Sequence, residues 1–188
     1  MATVVGISGS LRRGSFNAAL LRAAVELAPP GLAIEVASIR EFPLYDGDLE
    51  SERGVPEPVR AVKDRIAAAD GVLLVTPEYN NSIPGVFKNA IDWLSRPPSD
   101  IPRVFGGRPV ALMGATPGRG GTALAQVAWL PVLRTLGAEL WSGPRVQVAN
   151  AGSAFDPEGR LVDEAVRASV TRHLTGFAEF LARVGRAG

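Results

Sequence analysis

Cysteine is absent from this sequence, and histidine occurs once, at position 173. The lack of cysteine excludes disulfides, thiol nucleophiles and thiolate metal ligands, and one histidine excludes a histidine cluster around a metal within one chain. We therefore expect no metal site. His173 falls in a helical stretch beside Arg172 and Thr175, and we interpret it as a surface helix residue rather than a catalytic base.

Long hydrophobic runs and an excess of one charge are also missing. The first apolar run, residues 3–8, is too short to span a bilayer, and no basic segment precedes it as in a secretory signal. With the lack of cysteine, this favours a cytoplasmic protein. The net charge is +1 with mixed signs, which argues against nucleic-acid binding and against an electron shuttle steered by an acidic surface. We expect neither nucleic acid nor membrane as a partner.

Apolar runs typical of buried strands alternate with helical patterns along the chain. Such alternation predicts an α/β fold: a doubly wound, five-stranded parallel sheet with helices on both faces, in one domain over residues 1–188. Residues 40–57 are predicted to form a loop, and residues 186–188 a loose end. The predicted strands are residues 3–8, 32–37, 71–76, 109–114 and 139–148, the last interrupted at Gly143-Pro144. The predicted helices are residues 17–27, 59–69, 82–94 (with Ser82 as N-cap), 122–136 and 161–184.

The residues after the first strand suit a phosphate group. Ligands bind beyond the carboxyl ends of the strands in such sheets, and the first loop, residues 9–17, opens the first helix there. Its helix N-terminus supplies N–H groups, and Ser10, Arg12, Ser15 and Asn17 add polar side chains. The loop matches neither the G-x-G-x-x-G fingerprint nor a P-loop, so we predict that it binds the terminal phosphate of a mononucleotide. A plain turn with an N-cap is the alternative, and it accounts for Ser15 and Asn17 alone.

Two further loops follow the third and fourth strands. The second loop, residues 76–85, offers backbone amides, the Tyr79 ring and two side-chain amides, which suit the pyrimidine end of a flavin. The third loop, residues 115–122, contains three glycines that let the backbone approach a flat ligand. Taken alone, each loop fits a simple turn before a helix equally well. Three such loops at strand ends of one sheet favour a bound ligand.

The first two loops resemble one known family. Residues 9–17 read Gly-Ser-Leu-Arg-Arg-Gly-Ser-Phe-Asn, and residues 77–93 read Pro-Glu-Tyr-Asn-Asn-Ser-Ile-Pro-Gly-Val-Phe-Lys-Asn-Ala-Ile-Asp-Trp. These motifs resemble the NADPH-dependent FMN reductase family of bacterial quinone, chromate and azo-dye reductases, and the resemblance covers essentially the whole chain. It implies a flavodoxin-like three-layer fold with strand order 2-1-3-4-5, homodimers often paired into homotetramers, and FMN as cofactor. It implies that the FMN phosphate is held by Ser10, Arg12, Ser15 and Asn17, and that the ring is bordered by Pro77, Glu78, Tyr79, Asn80, Thr116, Gly118 and Gly120.

The resemblance also implies an activity. Hydride would pass from C4 of NADPH or NADH to N5 of FMN, and the electrons would pass on to a quinone, a free flavin, a metal oxyanion or an azo compound. We expect no catalytic side chain, because the cofactor carries this chemistry. A two-step exchange of this kind predicts ping-pong kinetics.

Other interpretations stay open at this point. The alternative function is a flavodoxin-type electron carrier or a flavin-binding sensor without efficient NAD(P)H turnover, and a flavin-free structural protein of the same fold is a third. The near-neutral charge and the adjacent Arg12 and Arg13 favour the enzyme over the carrier. Trp93 is interpreted as either a core residue or a subunit contact, and Glu78 as either a rim residue or one that positions a partner subunit.

Overall fold

A parallel β-sheet runs through the centre of the protein. Its computed structural model describes residues 1–185, so the loose end expected at residues 186–188 lies outside the described part. The strand order is β2-β1-β3-β4-β5, with β6 also paired to β4, and each pairing is parallel. This confirms the predicted fold class and strand order. The strands are β1 (Ala2–Ser8), β2 (Leu32–Ala37), β3 (Gly71–Val75), β4 (Pro109–Ala115), β5 (Glu139–Leu140) and β6 (Val146–Val148).

Helices cover both faces of the sheet. On one face α1 and α8 pack on the strands, and on the other face α3, α4 and α6 do so, which gives the three predicted layers. No helix within residues 1–185 has the length and apolar character needed to cross a lipid bilayer. The helices are α1 (Phe16–Glu26), α2 (Gly47–Arg53), α3 (Glu57–Ala68), α4 (Gly85–Leu94), α5 (Ile101–Val104), α6 (Ala123–Thr135), α7 (Ala151–Ala154) and α8 (Glu164–Val184), with a 3₁₀ turn at Pro98–Asp100.

The sheet separates two hydrophobic cores. Successive residues of a strand point to opposite faces, so Val4 joins the core under α1 and α8 while Val5 joins the core under α3 and α4. The strand β3 lies in the middle of the sheet and is buried along its whole length. This explains its unbroken apolar sequence, because both faces of a central parallel strand are covered.

The fifth strand is interrupted where the sequence predicts it. The strand β5 pairs with the start of β4, and β6 pairs with its end, from Met113 to Ala115. Between them the chain leaves the sheet at Ser142, Gly143 and Pro144. Proline has no N–H to donate to a ladder, so the break falls at the residue that would weaken the pairing most.

Two helix starts and one predicted loop differ clearly from the prediction. Ser82 is not the N-cap of α4, which begins at Gly85 with Pro84 in the cap position. The predicted loop at residues 40–57 contains α2, because the Asp46 side chain accepts a hydrogen bond from the Asp48 N–H at 2.9 Å and caps it. The helix α8 begins at Glu164 rather than at Leu161, since Leu161 is paired with the backbone of Phe155 in an isolated bridge.

Trp93 is a core residue. Its side chain is fully buried beneath α4, and its indole N–H donates to the carbonyl oxygen of Pro43 at 2.9 Å. The Tyr45 ring meets it edge-on, with ring centroids 5.0 Å apart. A subunit contact through this side chain is therefore excluded, because it is already covered by its own chain.

The surface assignment of His173 is wrong, because its side chain is only 2% exposed. Its Nδ1 lies 2.6 Å from the Pro144 carbonyl oxygen, and since a carbonyl only accepts, Nδ1 carries the proton. Its Nε2 is buried and has no hydrogen-bond partner within residues 1–185. The Trp141 ring packs edge-on against the imidazole ring of His173, with ring centroids 4.7 Å apart. Burial lowers the pKa of His173 below its ordinary value of 6.5, although the contact to Pro144 opposes that shift.

This burial predicts an acid-sensitive fold. Because the pKa of His173 is depressed in the folded state, its contribution to stability is present above about pH 6.5 and is lost as the pH falls through the folded pKa. Asparagine at this position keeps a donor for Pro144 but does not titrate. The free energy of unfolding, measured in urea between pH 7.5 and 5, should fall less steeply for His173→Asn than for the unchanged protein. Equal slopes would contradict the burial of a neutral imidazole.

Candidate functional site

The ends of β1, β3 and β4 meet around one cavity. Its volume is about 400 Å³, which is within the range of small-molecule sites. All three predicted loops contribute to it, as expected at the carboxyl edge of a parallel sheet. The walls are formed by Ser10, Arg12, Ser15, Phe16, Asn17, Pro77, Glu78, Tyr79, Ala115, Thr116 and Pro117.

The first loop makes one end of this cavity electropositive. Ser15 is the N-cap of α1, and its Oγ accepts from the N–H groups of Asn17 and Ala18, each at 3.2 Å. No acidic residue occupies the first turn of α1, so the positive end of the helix dipole is not offset there. The Arg12 guanidinium lies 5.5 Å from the centre of the Phe16 ring. This end, formed by the first loop, is called the phosphate end below.

Asn17 connects the first loop to β4. Its Nδ2 donates to the carbonyl oxygen of Ala115 at 2.8 Å, and the N–H of Ala115 donates to its Oδ1 at 2.9 Å. Both bonds are buried and join residues 98 positions apart in the chain. The side chain therefore acts as a clamp between the start of α1 and the end of β4, two walls of the cavity. This explains why asparagine stands here, since it alone among small side chains offers a donor and an acceptor in one plane.

The second loop is a tight turn. The backbones of Tyr79 and Ser82 exchange two hydrogen bonds, of 3.1 and 3.0 Å. Between them Asn80 and Asn81 have φ angles of 50° and 60°, the left-handed values of a type I′ turn, which asparagine tolerates better than most residues. The turn leaves the Tyr79 side chain about half exposed beside the cavity. The end lined by the second and third loops is called the ring end below.

Polar contacts tie the second loop to α6, one of them part-buried and one fully buried. The Glu78 carboxylate accepts from the N–H of Ala125 at 3.0 Å, in the first turn of α6, where a negative charge is favourable. The hydroxyl of Thr76 accepts from the indole N–H of Trp129 at 3.1 Å and donates to the carbonyl of Pro77. Glu78 is therefore more than a rim residue, because it ties the second loop to α6.

The third loop is held against the start of α7. The Asn150 N–H donates to the Gly118 carbonyl at 2.9 Å, and the Ala151 N–H donates to the Thr116 carbonyl at 3.0 Å. Gly120 lies against the Glu78 carboxylate, where an added Cβ would come within 3.6 Å of an oxygen. Thr116 lines the cavity, whereas Gly118 and Gly120 are exposed and do not line it.

Most of the predicted site residues come together in this cavity. Asn80, Gly118 and Gly120 belong to its loops but do not line it, and contacts of all these residues with a cofactor stay predictions. Sequence reasoning missed Phe16, Ala115 and Pro117. Phe16 directly follows the N-cap, but no sequence signal tells whether an aromatic side chain at that position turns toward the sheet or toward the loops. The residues that do line the cavity are Ser10, Arg12, Ser15, Asn17, Pro77, Glu78, Tyr79 and Thr116.

The donors present fit a phosphorylated flat molecule such as FMN. The phosphate end combines the Arg12 guanidinium with hydroxyls of Ser10 and Ser15 at a helix N-terminus, and this is the chemistry that binds phosphate. The ring end is lined by Pro77, Tyr79 and backbone, which suit a planar aromatic group. The only acid on the walls, Glu78, is occupied by the backbone of α6.

The chain is similar to known proteins over nearly its whole length. The sequence profile of the NADPH-dependent FMN reductase family matches residues 2–153. The chain is 44% identical over 181 residues to an NAD(P)H-dependent FMN reductase of Pseudomonas aeruginosa, covering 96% of each chain. It is 40% identical over 183 residues to a quinone reductase of Escherichia coli, again covering 96% of each. The solved structure of FerB, a flavoenzyme NAD(P)H:(acceptor) oxidoreductase from Paracoccus denitrificans, superposes with a TM-score of 0.86 at 34% identity, covering 97% of this chain and 98% of that one.

The two bonds of the Asn17 side chain to Ala115 predict that loss of this side chain lowers the stability of the protein, even when no flavin is bound. In flavin-free protein, Asn17→Ala should lower the free energy of unfolding by about 2–4 kcal/mol, because it leaves the buried N–H and C=O of Ala115 unpaired. Ser10→Ala is the control, since its hydroxyl makes only a long 3.4 Å contact to the Arg12 N–H, and we expect a change of about 0.5 kcal/mol or less. Unchanged stability with weakened FMN binding would show that Asn17 is a ligand instead.

Proposed function

This chain belongs to the NADPH-dependent FMN reductase family, and we propose that its cavity holds FMN with the phosphate at the phosphate end and the ring at the ring end. The chain is an NAD(P)H-dependent oxidoreductase that uses FMN. The observation that carries the proposed arrangement is the convergence of three loops on one cavity whose two ends differ in chemistry.

At the phosphate end the chain supplies charge compensation. Arg12 offers a guanidinium fork to a dianionic phosphate, and the positive end of the α1 dipole favours a negative charge there. Ser10 and Ser15 add hydroxyls that can donate once a ligand oxygen is near. We assign Asn17 the part of holding this end at a fixed distance from β4, through its two bonds to Ala115.

At the ring end the chain positions the flavin ring and shields it from water. Bound FMN supplies the redox chemistry, by taking up hydride from a reduced nicotinamide and giving electrons to an acceptor. Pro77, Tyr79 and Thr116 border the space for the ring, and Glu78 and Asn80 hold the second loop in shape. Gly118 and Gly120 lie exposed in the third loop, and we propose that they also approach the ring when FMN is bound. The side chains here orient the reactants, and no acid, base or nucleophile among them is needed.

A quinone is the acceptor that we propose. Similarity to quinone reductases supports it, and so does 41% identity over 175 residues to a 2-hydroxy-1,4-benzoquinone reductase of Burkholderia, with 93% of each chain covered. A quinone is planar, and Pro77 and Tyr79 at the ring end suit a planar group. Free flavin, metal oxyanions and azo compounds are further acceptors that we propose. Because the hydride donor is an intracellular coenzyme, we also propose a cytoplasmic location.

We also propose that the chain forms homodimers, which pair further into homotetramers. The helix α6 presents three large apolar side chains to the outside, Leu124, Val127 and Leu130, at 52%, 59% and 42% exposure. Spaced three residues apart, they form one exposed apolar stripe of the kind that marks an interaction surface. The stripe begins beside Ala125, to which Glu78 is bonded, so a partner seated on it would lie close to the second loop.

Anaerobic mixing tests the proposed function. FMN-loaded protein mixed with NADPH should lose its oxidised flavin band at about 1 per second or faster, and 1,4-benzoquinone should restore it. Steady-state data should give parallel double-reciprocal lines. NADP⁺ serves as the control and should leave the band unchanged. An oxidised spectrum that persists in both NADPH and NADH would contradict the enzyme and support an electron carrier or sensor.

If the apolar stripe of α6 is a subunit contact, a charge placed on it should dissociate the assembly. Val127→Glu should shift the molar mass from light scattering toward that of one chain, because an unpaired carboxylate is costly at an interface core. Val162→Glu is the matched control, since Val162 is 51% exposed and belongs to the segment before α8 rather than to α6, and it should keep the assembled mass. Equal masses for both variants would rule out this surface.

A further inference from the structure

A second cavity adjoins the phosphate end. It has a volume of about 530 Å³ and lies between the start of α1 and the turn that precedes α8. Ser15 and Phe16 line both cavities, so the two cavities share a wall. Arg13, Arg22, Gly152, Phe155 and Glu158 form much of the remaining wall. These five residues do not line the cavity proposed above for FMN.

We propose that this second cavity is an adenylate subsite that lets the protein bind FAD as well as FMN. The inference rests on the proposed function, because it takes the flavin phosphate to lie at the first loop. From that point the adenosine half of FAD would pass over Ser15 and enter the second cavity. The ring of the flavin would stay in the first cavity, as for FMN.

The aromatic wall suits an adenine base. The rings of Phe16 and Phe155 are stacked, with centroids 5.8 Å apart and planes inclined by 28°. Phe155 is buried, whereas Phe16 is only partly buried and belongs to the wall that the two cavities share. Stacking on aromatic side chains is a common way to hold a base and contributes about 1–3 kcal/mol per base.

The charges suit a diphosphate followed by an unmodified ribose. Arg13 and Arg22 place two guanidinium groups on the wall; Arg22 has a long 3.5 Å contact to the Gly159 carbonyl. Of the two acids on the wall, Asp156 is bound to the Arg160 side chain at 2.7 Å. Glu158 makes a longer contact of 3.4 Å to the same guanidinium, and its side chain is 64% exposed. A carboxylate of this kind accepts bonds from ribose hydroxyls. It would repel the additional phosphate on the ribose of NADPH.

The position of the cavity favours FAD over a nicotinamide coenzyme. It opens next to the first loop, at the phosphate end, whereas a nicotinamide has to reach the ring end formed by the second and third loops. Space is also available, because a Cβ added to Gly14 or Gly152 would meet no atom within 4 Å. A large side chain at Gly152 can therefore fill the cavity without disturbing the fold.

Flavin exchange tests the proposal. Full-length protein is incubated with equal concentrations of FMN and FAD, freed of unbound flavin and denatured, and the released flavins are quantified by chromatography. The unchanged protein should retain FAD in an amount equal to FMN or greater. Gly152→Trp should lower the ratio of FAD to FMN about tenfold, the loss expected when stacking of one base is removed. Gly152→Ala, which leaves the cavity open, should keep the ratio, and Arg13→Gln should lower it.

Each other outcome overturns the proposal in a distinguishable way. A ratio that Gly152→Trp leaves unchanged would show that the adenylate lies elsewhere. Equal loss of both flavins in Gly152→Trp would show that the cavity serves the fold rather than a ligand. An unchanged ratio with a raised KM for NADH or NADPH would assign the cavity to the adenylate of the nicotinamide coenzyme. Failure of the unchanged protein to retain either flavin would overturn the proposed function as well, whereas retention of FMN alone would overturn only the FAD subsite.

Discussion

The two hydrogen bonds between the Asn17 side chain and the backbone of Ala115 set the geometry on which the site depends. They bind the first turn of α1 to the end of β4, two elements 98 residues apart in the chain. Because both bonds are buried, neither partner has water as an alternative, and separation of the two elements would be costly. The phosphate end of the cavity thereby stays at a fixed distance from the third loop, and a ligand that spans both can bind without first ordering them.

The polar side chains of the site divide into two groups. Asn17, Glu78 and Thr76 are occupied by contacts within the protein, to Ala115, to the start of α6 and to Trp129. Arg12 and the hydroxyl of Ser10 face the cavity with weaker internal contacts. The internal hydrogen bonds therefore fix the shape of the loops, and a few cationic and hydroxyl groups stay available to the ligand. This matches a reaction whose chemistry resides in the cofactor and whose protein contribution is orientation.

Much of this arrangement could be predicted from the sequence. Central parallel strands are apolar on both faces, so β1, β3 and β4 can be recognised in the sequence. The loops that follow them are predicted to meet at the carboxyl edge of the sheet, and the structure confirms this. Features set by distant contacts could not be predicted. The bonds of Asn17 to Ala115 join residues far apart in the chain, so the sequence gives no sign of them. His173 is predicted to be exposed because its helical neighbours are polar, and they say nothing of the segment around Pro144 that covers it. Ser82 is not the N-cap of α4 because it closes a turn. Asn80 and Asn81 tolerate the positive φ angles of that turn, and this preference outweighs the N-cap preference of serine.

The central claim is that the first loop anchors the flavin through its phosphate, and comparison of FMN with riboflavin tests it most directly. The two ligands share the ring and differ in the phosphate alone. Titration of flavin-free protein should give a dissociation constant for FMN at least about 100-fold below that for riboflavin, which corresponds to about 2.7 kcal/mol. In Arg12→Ala the affinity for FMN should fall while the affinity for riboflavin stays constant, so the ratio between the two dissociation constants should become smaller. Equal affinities for FMN and riboflavin in the unchanged protein would contradict the account.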